Sequence, residues 1–394
     1  MPPTYITGMG IITSIGNNVE ENLTSIRQEK SGIHRLELLD TVHKDSFVAG
    51  EIDLTNDSLS QLAGLAPNHY PRTTILGMVA SKEALEHAGI ADVNEVPTGL
   101  VVGSTLGGMD KTERYYRNLV EHNDFIRTHN CGYSTEAIAD FLDIRGFITT
   151  LSTACSSAAN AILYGSMLIE NGVLDRVVVG GMDALTKFTL NGFNSLLILD
   201  QDPCKPFDNN RKGLNLGEGA GFMVLESEKA LSKAQKEPIC KLKGYANSND
   251  AYHQTASSPE GYGLYLSITE ALKQGGLSPG QIDYINIHGT GTPNNDLTEG
   301  IALKKVFGDE LPKFSSTKSM VGHTLGAAGG IEAVYSILAL KEGIIPPNLN
   351  FHQPIEELDL WPVTNLMEHV SLDHVLTNSF GFGGNDTTLI FSKK

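Results

Sequence analysis

The sequence predicts an α/β protein of largely parallel sheets covered by helices, arranged in two halves that repeat. Three observations carry this reading. Short apolar runs rich in Val, Ile and Leu alternate with segments of helical period, the order that lays helices across the faces of a parallel sheet. Roughly after residue 235 the same alternation begins again. Glycine is abundant, 41 of 394 residues, in a chain that is 40% hydrophobic, as many tight strand-to-helix turns over a packed core require. The halves share no visible sequence identity. The repeat, a duplicated αβαβα sandwich divided into 1–235 and 236–394, therefore rests first on element order.

Taken in order, Tyr5 to Gly16 reads as a strand running into a glycine turn, and Asn18 to Gln28 as the helix after it. Gly8, Gly10 and Gly16 do not make G-x-G-x-x-G, so no dinucleotide site is expected there. Residues 30–66 read as an irregular surface excursion. Ile75 to His87 is helical in pattern and stops at Gly89; Gly99 to Gly103 is a short buried strand followed by Gly107-Gly108. Arg176 to Gly181 is another strand. The run Gly217-Glu218-Gly219-Ala220-Gly221 lacks the Lys-Ser/Thr of a phosphate loop and leads into the strand Phe222 to Glu226. In the second half Lys241 to Asn247 is strand-like, Gly263 to Gly275 helical, Tyr284 to His288 a buried strand, and Gly326 to Gly343 a long apolar helix. Val375 to Phe380 and Thr388 to Phe391 close the chain as strands.

Chemistry concentrates in Phe147 to Gly172. Phe147 to Thr153 is β-branched and suits a buried strand; from Ala158 the apolar positions suit a buried helix ending at Asn171-Gly172. Cys155 thus sits at a strand-to-helix turn, where the positive end of a helix favours a thiolate and free N–H groups can hold an oxyanion. A single Cys among Ala and Ser is more often a small buried packing residue, and this stretch alone does not decide for the nucleophile.

Other polar groups change the balance. His288 ends an apolar strand and opens Gly289-Thr290-Gly291-Thr292; His323 stands just before the long helix, with Lys318 five residues earlier. Strand ends beside glycine turns are where open α/β sheets place their sites. A thiol with two imidazoles and an ammonium can carry out acyl transfer. The histidine spacing makes no local metal motif, so no metal is expected. Asp296 and Glu299 are read as helix-start acids in solvent, either of which could neutralise Lys318. In Asn378 to Asp386, Phe380 and Phe382 alternate with Gly381, Gly383 and Gly384, which can bring backbone N–H groups close to a ligand while a ring covers it; a hairpin with two core phenylalanines fits equally.

A formal net charge of −17 argues against general attraction to nucleic acid or an acidic membrane surface. No apolar run approaches the roughly 20 residues that span a bilayer, and the N-terminus has no basic leader. Cys131, Cys155, Cys204 and Cys240 lack disulfide-scaffold density, so a reducing, cytoplasmic setting is expected.

These pieces together resemble the β-ketoacyl-acyl-carrier-protein synthases of the His-His elongating type, condensing enzymes of the thiolase superfamily. The matching segments are Thr153 to Ser157, Pro206-Phe207-Asp208 with Arg211 and Gly217 to Gly221, His288 to Thr292, Lys318 to Gly329, and Asn378 to Gly384, in the family's order and spacing. The resemblance implies a thiolase-like fold with Cys155 as the acylated nucleophile, and with His288 and His323 promoting malonyl decarboxylation and stabilising the enolate. It implies that Lys318 tunes the second histidine, with Glu299 as its ion-pair partner and Asp296 in a supporting place. The N–H groups of Cys155 and Phe382 would form the oxyanion hole, the Phe382 ring gating the acyl pocket, while Thr290 and Thr292 would hold the pantetheine arm alongside Phe380, Gly381 and Gly383. No metal or organic cofactor is implied. The partners implied are an acyl carrier protein and a second chain in a dimer, identical or ketosynthase-like.

Some positions depart from the family. Gly383-Gly384 is followed by Asn385-Asp386 in place of the usual Thr-Asn, Lys212 and Leu214 replace Asp and Phe, and Leu196 to Leu199 replaces a segment that commonly carries a carrier-docking Arg. The chain is also short near residues 35–60, 120–130 and 200–205. A specialised ketosynthase for a polyene or polyketide-like product is therefore an alternative. So is a non-catalytic chain-length factor, although such subunits usually lose the nucleophile. A degradative thiolase is disfavoured, since its second cysteine lies near the C-terminus and the last one here is Cys240. Arg72, Lys111, Arg114, Arg117 and Arg127 are the basic groups available for docking an acidic carrier.

Overall fold

The computed structural model describes residues 2–66, 70–118 and 120–393. In the first half, strand β1 (Thr4–Ile12) leads to helix α1 (Val19–Arg27), a small hairpin of β2 (His34–Arg35) and β3 (Val48–Ala49), α2 (Asn56–Ala63), α3 (Arg72–His87) and β4 (Thr98–Gly103). The short helices α4 (Met109–Tyr115), α5 (Asn123–Ile126) and α6 (Cys131–Phe141) then precede β5 (Ile148–Leu151), α7 (Ser157–Glu170), β6 (Arg176–Asp183), α8 (Lys187–Ser195), β7 (Gly219–Ser227) and α9 (Glu228–Ala234). The second half runs β8 (Cys240–Asn249), α10 (Tyr262–Gly275), β9 (Tyr284–Asn286), α11 (Pro293–Phe307), β10 (Lys313–Ser315), α12 (Lys318–Val321), α13 (Ala328–Glu342), β11 (His374–Gly381) and β12 (Asn385–Ser392).

The duplication is visible in the strand order. The run β5-β4-β6-β7-β1 of the first half recurs as β10-β9-β11-β12-β8 in the second. In each run the first three strands are parallel and the last two antiparallel. Antiparallel pairing of Thr4 to Ile6 with β8 joins the two into one mixed ten-stranded sheet. Among the described residues no helix is long and apolar enough to cross a membrane.

Helices α7 and α13 follow the same strand of their respective halves, and their side chains share one core cluster. From Ala328 to Leu340 every residue of α13 is buried, each large apolar side chain stabilising the fold by about 1.5–3 kcal/mol. Such packing needs close backbone approach. A Cβ on Gly103 would come within 2.3 Å of the Ala158 nitrogen, and one on Gly329 within 2.8 Å of Ala159. Glycine at these positions lets the start of α7 press on β4 and α13 press on α7.

Two expectations change. Residues 30–66 contain the regular helix α2, capped by the Thr55 side chain and stopped by left-handed Gly64, signals that a polar composition hid. The strand before Cys155 lies at the edge of the sheet, not its centre, and Phe147 and Ile148 stay partly exposed. An apolar run does not distinguish a central strand from an edge that a second chain could cover.

Candidate active site

Cys155 lies two residues before α7, on a turn in which Ala154 takes φ of 51°, a left-handed conformation that non-glycine residues adopt at a cost of order 1–3 kcal/mol. Hydrogen bonds hold the turn: Ser157 Oγ donates to the Ala154 carbonyl at 2.6 Å, and the Ser157 N–H donates to the same oxygen at 3.1 Å. These bonds point the buried thiol into a cavity of about 390 Å³.

The same cavity is lined by His288, His323, Thr290, Thr292 and the loop Phe380 to Gly384, so the second half faces the cysteine. The two imidazoles meet edge to face, ring centres 5.3 Å apart, and His288 packs on Phe380 at 5.2 Å. Lys318 Nζ lies 3.2 Å from His288 Nδ1 and donates to the His288 carbonyl at 2.7 Å. The Leu325 N–H donates to His323 Nδ1 at 3.2 Å. Both Nδ1 atoms therefore act as acceptors, which leaves the proton of each neutral ring on Nε2. Each histidine is then a neutral donor on its opposite side.

Burial, with the Lys318 charge second, pushes both histidines well below the usual value of 6.5, and His323 presses His288 down further. Burial likewise raises the Cys155 thiol to about 11, against the lowering influences of Lys318 and of the Phe382 N–H that donates to the sulfur. The expectation of a resting thiolate is thus overturned, because desolvation outweighs the helix end. The tuning ammonium is in place, but its counter-ion is not the expected one.

Lys318 pairs with Glu332 of α13, inside hydrogen-bond distance, with both side chains buried. Glu299 instead accepts the N–H groups of His288 and Gly289 at 2.9 and 2.8 Å, and burial raises it to about 8. Asp296 accepts from Thr290, Gly291 and Phe207. Both acids are fully buried on α11 and brace the histidine loop, so neither is the solvated helix-start acid that the spacing suggested. Glu332 was missed, though a lone acid inside the apolar run Ala328 to Leu340 was the signal for it.

The pH response follows from the histidines. Their folded values lie below the unfolded value of 6.5, so both rings stay neutral at pH 7 and continue so as the pH falls past 6.5. Any step that uses the two neutral rings should hold its rate through pH 6 and fall only in more acid solution. Because the unfolded chain takes up those protons first, stability should already decline below pH 6.5. Rate and melting temperature measured from pH 5 to 8 check this; a rate that halves between pH 6.5 and 7 would contradict it.

Comparison with known proteins adds independent findings. Residues 1–230 match the family described as "Beta-ketoacyl synthase, N-terminal domain", and residues 239–352 the one described as "Beta-ketoacyl synthase, C-terminal domain". The chain is 32% identical over 405 residues to the 3-oxoacyl-[acyl-carrier-protein] synthase 2 of Staphylococcus aureus (strain COL), covering 98% of this chain and 97% of that one. Among solved structures it resembles the ishigamide ketosynthase/chain length factor, with a TM-score of 0.93, 31% identity, and coverage of 100% and 99%. It also resembles a ketosynthase in complex with its chain length factor from Xenorhabdus doucetiae, with a TM-score of 0.87, 30% identity, and coverage of 100% and 98%.

Proposed function

The chain belongs to the β-ketoacyl synthase family and is a condensing acyltransferase, and from that premise we propose how its own residues perform the condensation. Cys155 accepts the acyl group: its sulfur attacks the carrier-bound thioester, the pantetheine sulfur leaves, and the thiol proton goes to that leaving group. Malonyl carrier protein then loses carbon dioxide, and its enolate attacks the Cys155 thioester. The cysteine leaves as thiolate and is reprotonated, and the chain is two carbons longer. We take His288 and His323 as the donors to the enolate oxygen, through the Nε2 protons that the Lys318 and Leu325 contacts leave facing away from Nδ1. The Cys155 and Phe382 N–H groups serve as the oxyanion hole, a type of donor worth about 3–4 kcal/mol to a transition state. Thr290 and Thr292, hydroxyl oxygens 2.9 Å apart on the cavity wall, hold the pantetheine arm. The observation that carries this reading is the single cavity shared by Cys155, both histidines and the Phe382 loop. No step calls for a metal or an organic cofactor.

The test is intact-mass spectrometry of the protein incubated with acyl carrier proteins of graded chain length, then with malonyl carrier protein. An acyl adduct followed by release of a product two carbons longer is the expected result. A folded protein that takes no acyl group from any carrier would sink the reading.

We read an acidic carrier protein as the partner, docking beside the cavity mouth. Of the basic groups named from the sequence, Arg72 is engaged by Glu218 at 2.6 Å and Lys111 is buried, so neither is available. Arg114 and Arg117 share one hollow with Lys187 and exposed Phe188. The other end of α8, with Phe193, lines the active cavity, as do the adjoining Leu196 to Ile198. In a chain of net charge −17, such a local basic patch is what an acidic partner needs. The double variant Arg114→Glu/Arg117→Glu should raise KM for acyl carrier about tenfold or more with kcat nearly unchanged, and wild-type KM should rise with salt. Salt-independent kinetics and an unchanged KM in the variant would remove this surface.

One observation favours a second chain, identical or ketosynthase-like, as dimer partner: Phe147, Ile148, Met167 and Val173 leave apolar surface exposed at and beside edge strand β5. With the likeness to ketosynthases paired with chain length factors, this supports a specialised pathway as the second reading.

A further inference from the structure

Among the side chains that cross-brace the two halves beside the reaction centre is one that the mechanism above does not use. Asn385 opens β12 directly after the Phe382-Gly383-Gly384 loop. Its amide oxygen lies 2.7 Å from Ser156 Oγ, 2.7 Å from Asn160 Nδ2 and 2.8 Å from Asn247 Nδ2. Ser156 is the residue after the nucleophile, Asn160 sits in the first turn of α7, and Asn247 is on β8. One acceptor thus gathers donors from the cysteine turn, the cysteine helix and the neighbouring strand.

Other hydrogen bonds from outside the loop come from the second half of the chain: the Gly383 N–H donates to the Gln254 carbonyl at 2.8 Å, Asn249 Nδ2 donates to the Gly383 carbonyl at 3.2 Å and the Asp250 N–H donates to the Gly384 carbonyl at 2.8 Å. From the first half, Phe193 stacks on the Phe382 ring with centres 5.7 Å apart, a ring contact and not a hydrogen bond. Gly381 lies close against the Thr153 carbonyl, a position that permits the approach without fixing it. The Asn385 amide is the side-chain bond that runs from the base of the loop to the cysteine turn.

We propose that Asn385 is a positioning residue of the condensation: it pins the Phe382 loop to the start of the cysteine helix and so keeps the Phe382 N–H aimed at the Cys155 sulfur and at the oxyanion that forms there. The inference rests on the reading of Cys155 as nucleophile and Phe382 N–H as oxyanion donor. It adds the residue that holds the two in register across the halves.

The test uses the whole protein and three variants. Asn385→Ala should lower kcat about tenfold or more with KM for acyl carrier within about twofold, since the lost alignment acts in the transition state. Alkylation of Cys155 by iodoacetamide should slow several-fold at pH 8 and its midpoint should move to higher pH, because the N–H that favours the thiolate is no longer aimed at it. Asn385→Thr, which keeps a shorter acceptor, should recover part of both losses; it also carries the test should the alanine variant fail to fold. Thr387→Val disturbs the same amide cluster, removing the 2.8 Å bond to Asn160 Oδ1, without touching the loop. It should leave the alkylation profile as in wild type. A Thr387→Val protein that reproduces the shift, or an Asn385→Ala protein with wild-type alkylation and kcat, overturns the proposal. Failure of the wild type to take up any acyl group would strike the reading of Cys155 itself, while the alkylation profiles still report on Asn385.

Discussion

Cys155→Ala is expected to abolish acyl-enzyme formation and to cut chain elongation by on the order of 10⁴-fold or more, the scale seen when a covalent nucleophile is removed from an otherwise intact site. The fold should survive. Cys155 is buried but small, and alanine keeps the Cβ that fits the turn. Release of carbon dioxide from malonyl carrier protein is the informative second readout, because in the proposed mechanism that step draws on His288, His323 and the N–H donors and not on the thiol. Carbon dioxide release that persists while adduct and product vanish is the expected pair. A variant that still accumulates acyl mass would move the nucleophile elsewhere, Cys204 and Cys240 being buried, with thiols that burial raises even further than that of Cys155.

Lys318→Met should be the most damaging change outside the nucleophile, and for two separable reasons. It strands Glu332, whose carboxyl burial already raises to about 7 and which is held by the Lys318 charge and hydrogen bond with only a 3.4 Å bond from Ser379 besides. Breaking one half of a buried pair costs about 3–5 kcal/mol. It also takes away the ammonium that sits 3.2 Å from His288 Nδ1 and that helps hold both rings neutral. The double variant Lys318→Met/Glu332→Leu should regain most of the stability, since an apolar pair can replace a buried ion pair. Its activity should stay low. Thermal melting and decarboxylation rate measured on both proteins separate the roles; recovery of activity along with stability would show that Lys318 is structural alone.

Much of the site was legible in the chain because chemistry-bearing residues sat at breaks in hydrophobic period. Cys155 stood between a β-branched run and a helical one, and His288 and His323 stood beside glycine turns, so local sequence marked them as strand-end residues. Asp296 and Glu299 were legible as residues but not as contacts. Near the start of a helix an acid normally faces water, and only the fold shows them turned inward onto the N–H groups of the histidine loop. The counter-ion of Lys318 was missed for the same reason. Glu332 is 14 residues away in sequence and meets Lys318 because α13 packs back beneath the turn that carries it.

The sequence by itself determined the α/β class and the repeat in element order, and through its family resemblance it named the candidate reacting groups, since these depend on period, composition and short motifs that act over a few residues. Tertiary structure decided the partners and the protonation. The thiol rises to about 11 because the turn is buried, the histidines stay neutral because they are buried beside the Lys318 charge, and Asn385 bonds Ser156 from 229 positions away. Each of those outcomes depends on desolvation and on distances across the two halves, quantities that exist only once the chain has closed on itself.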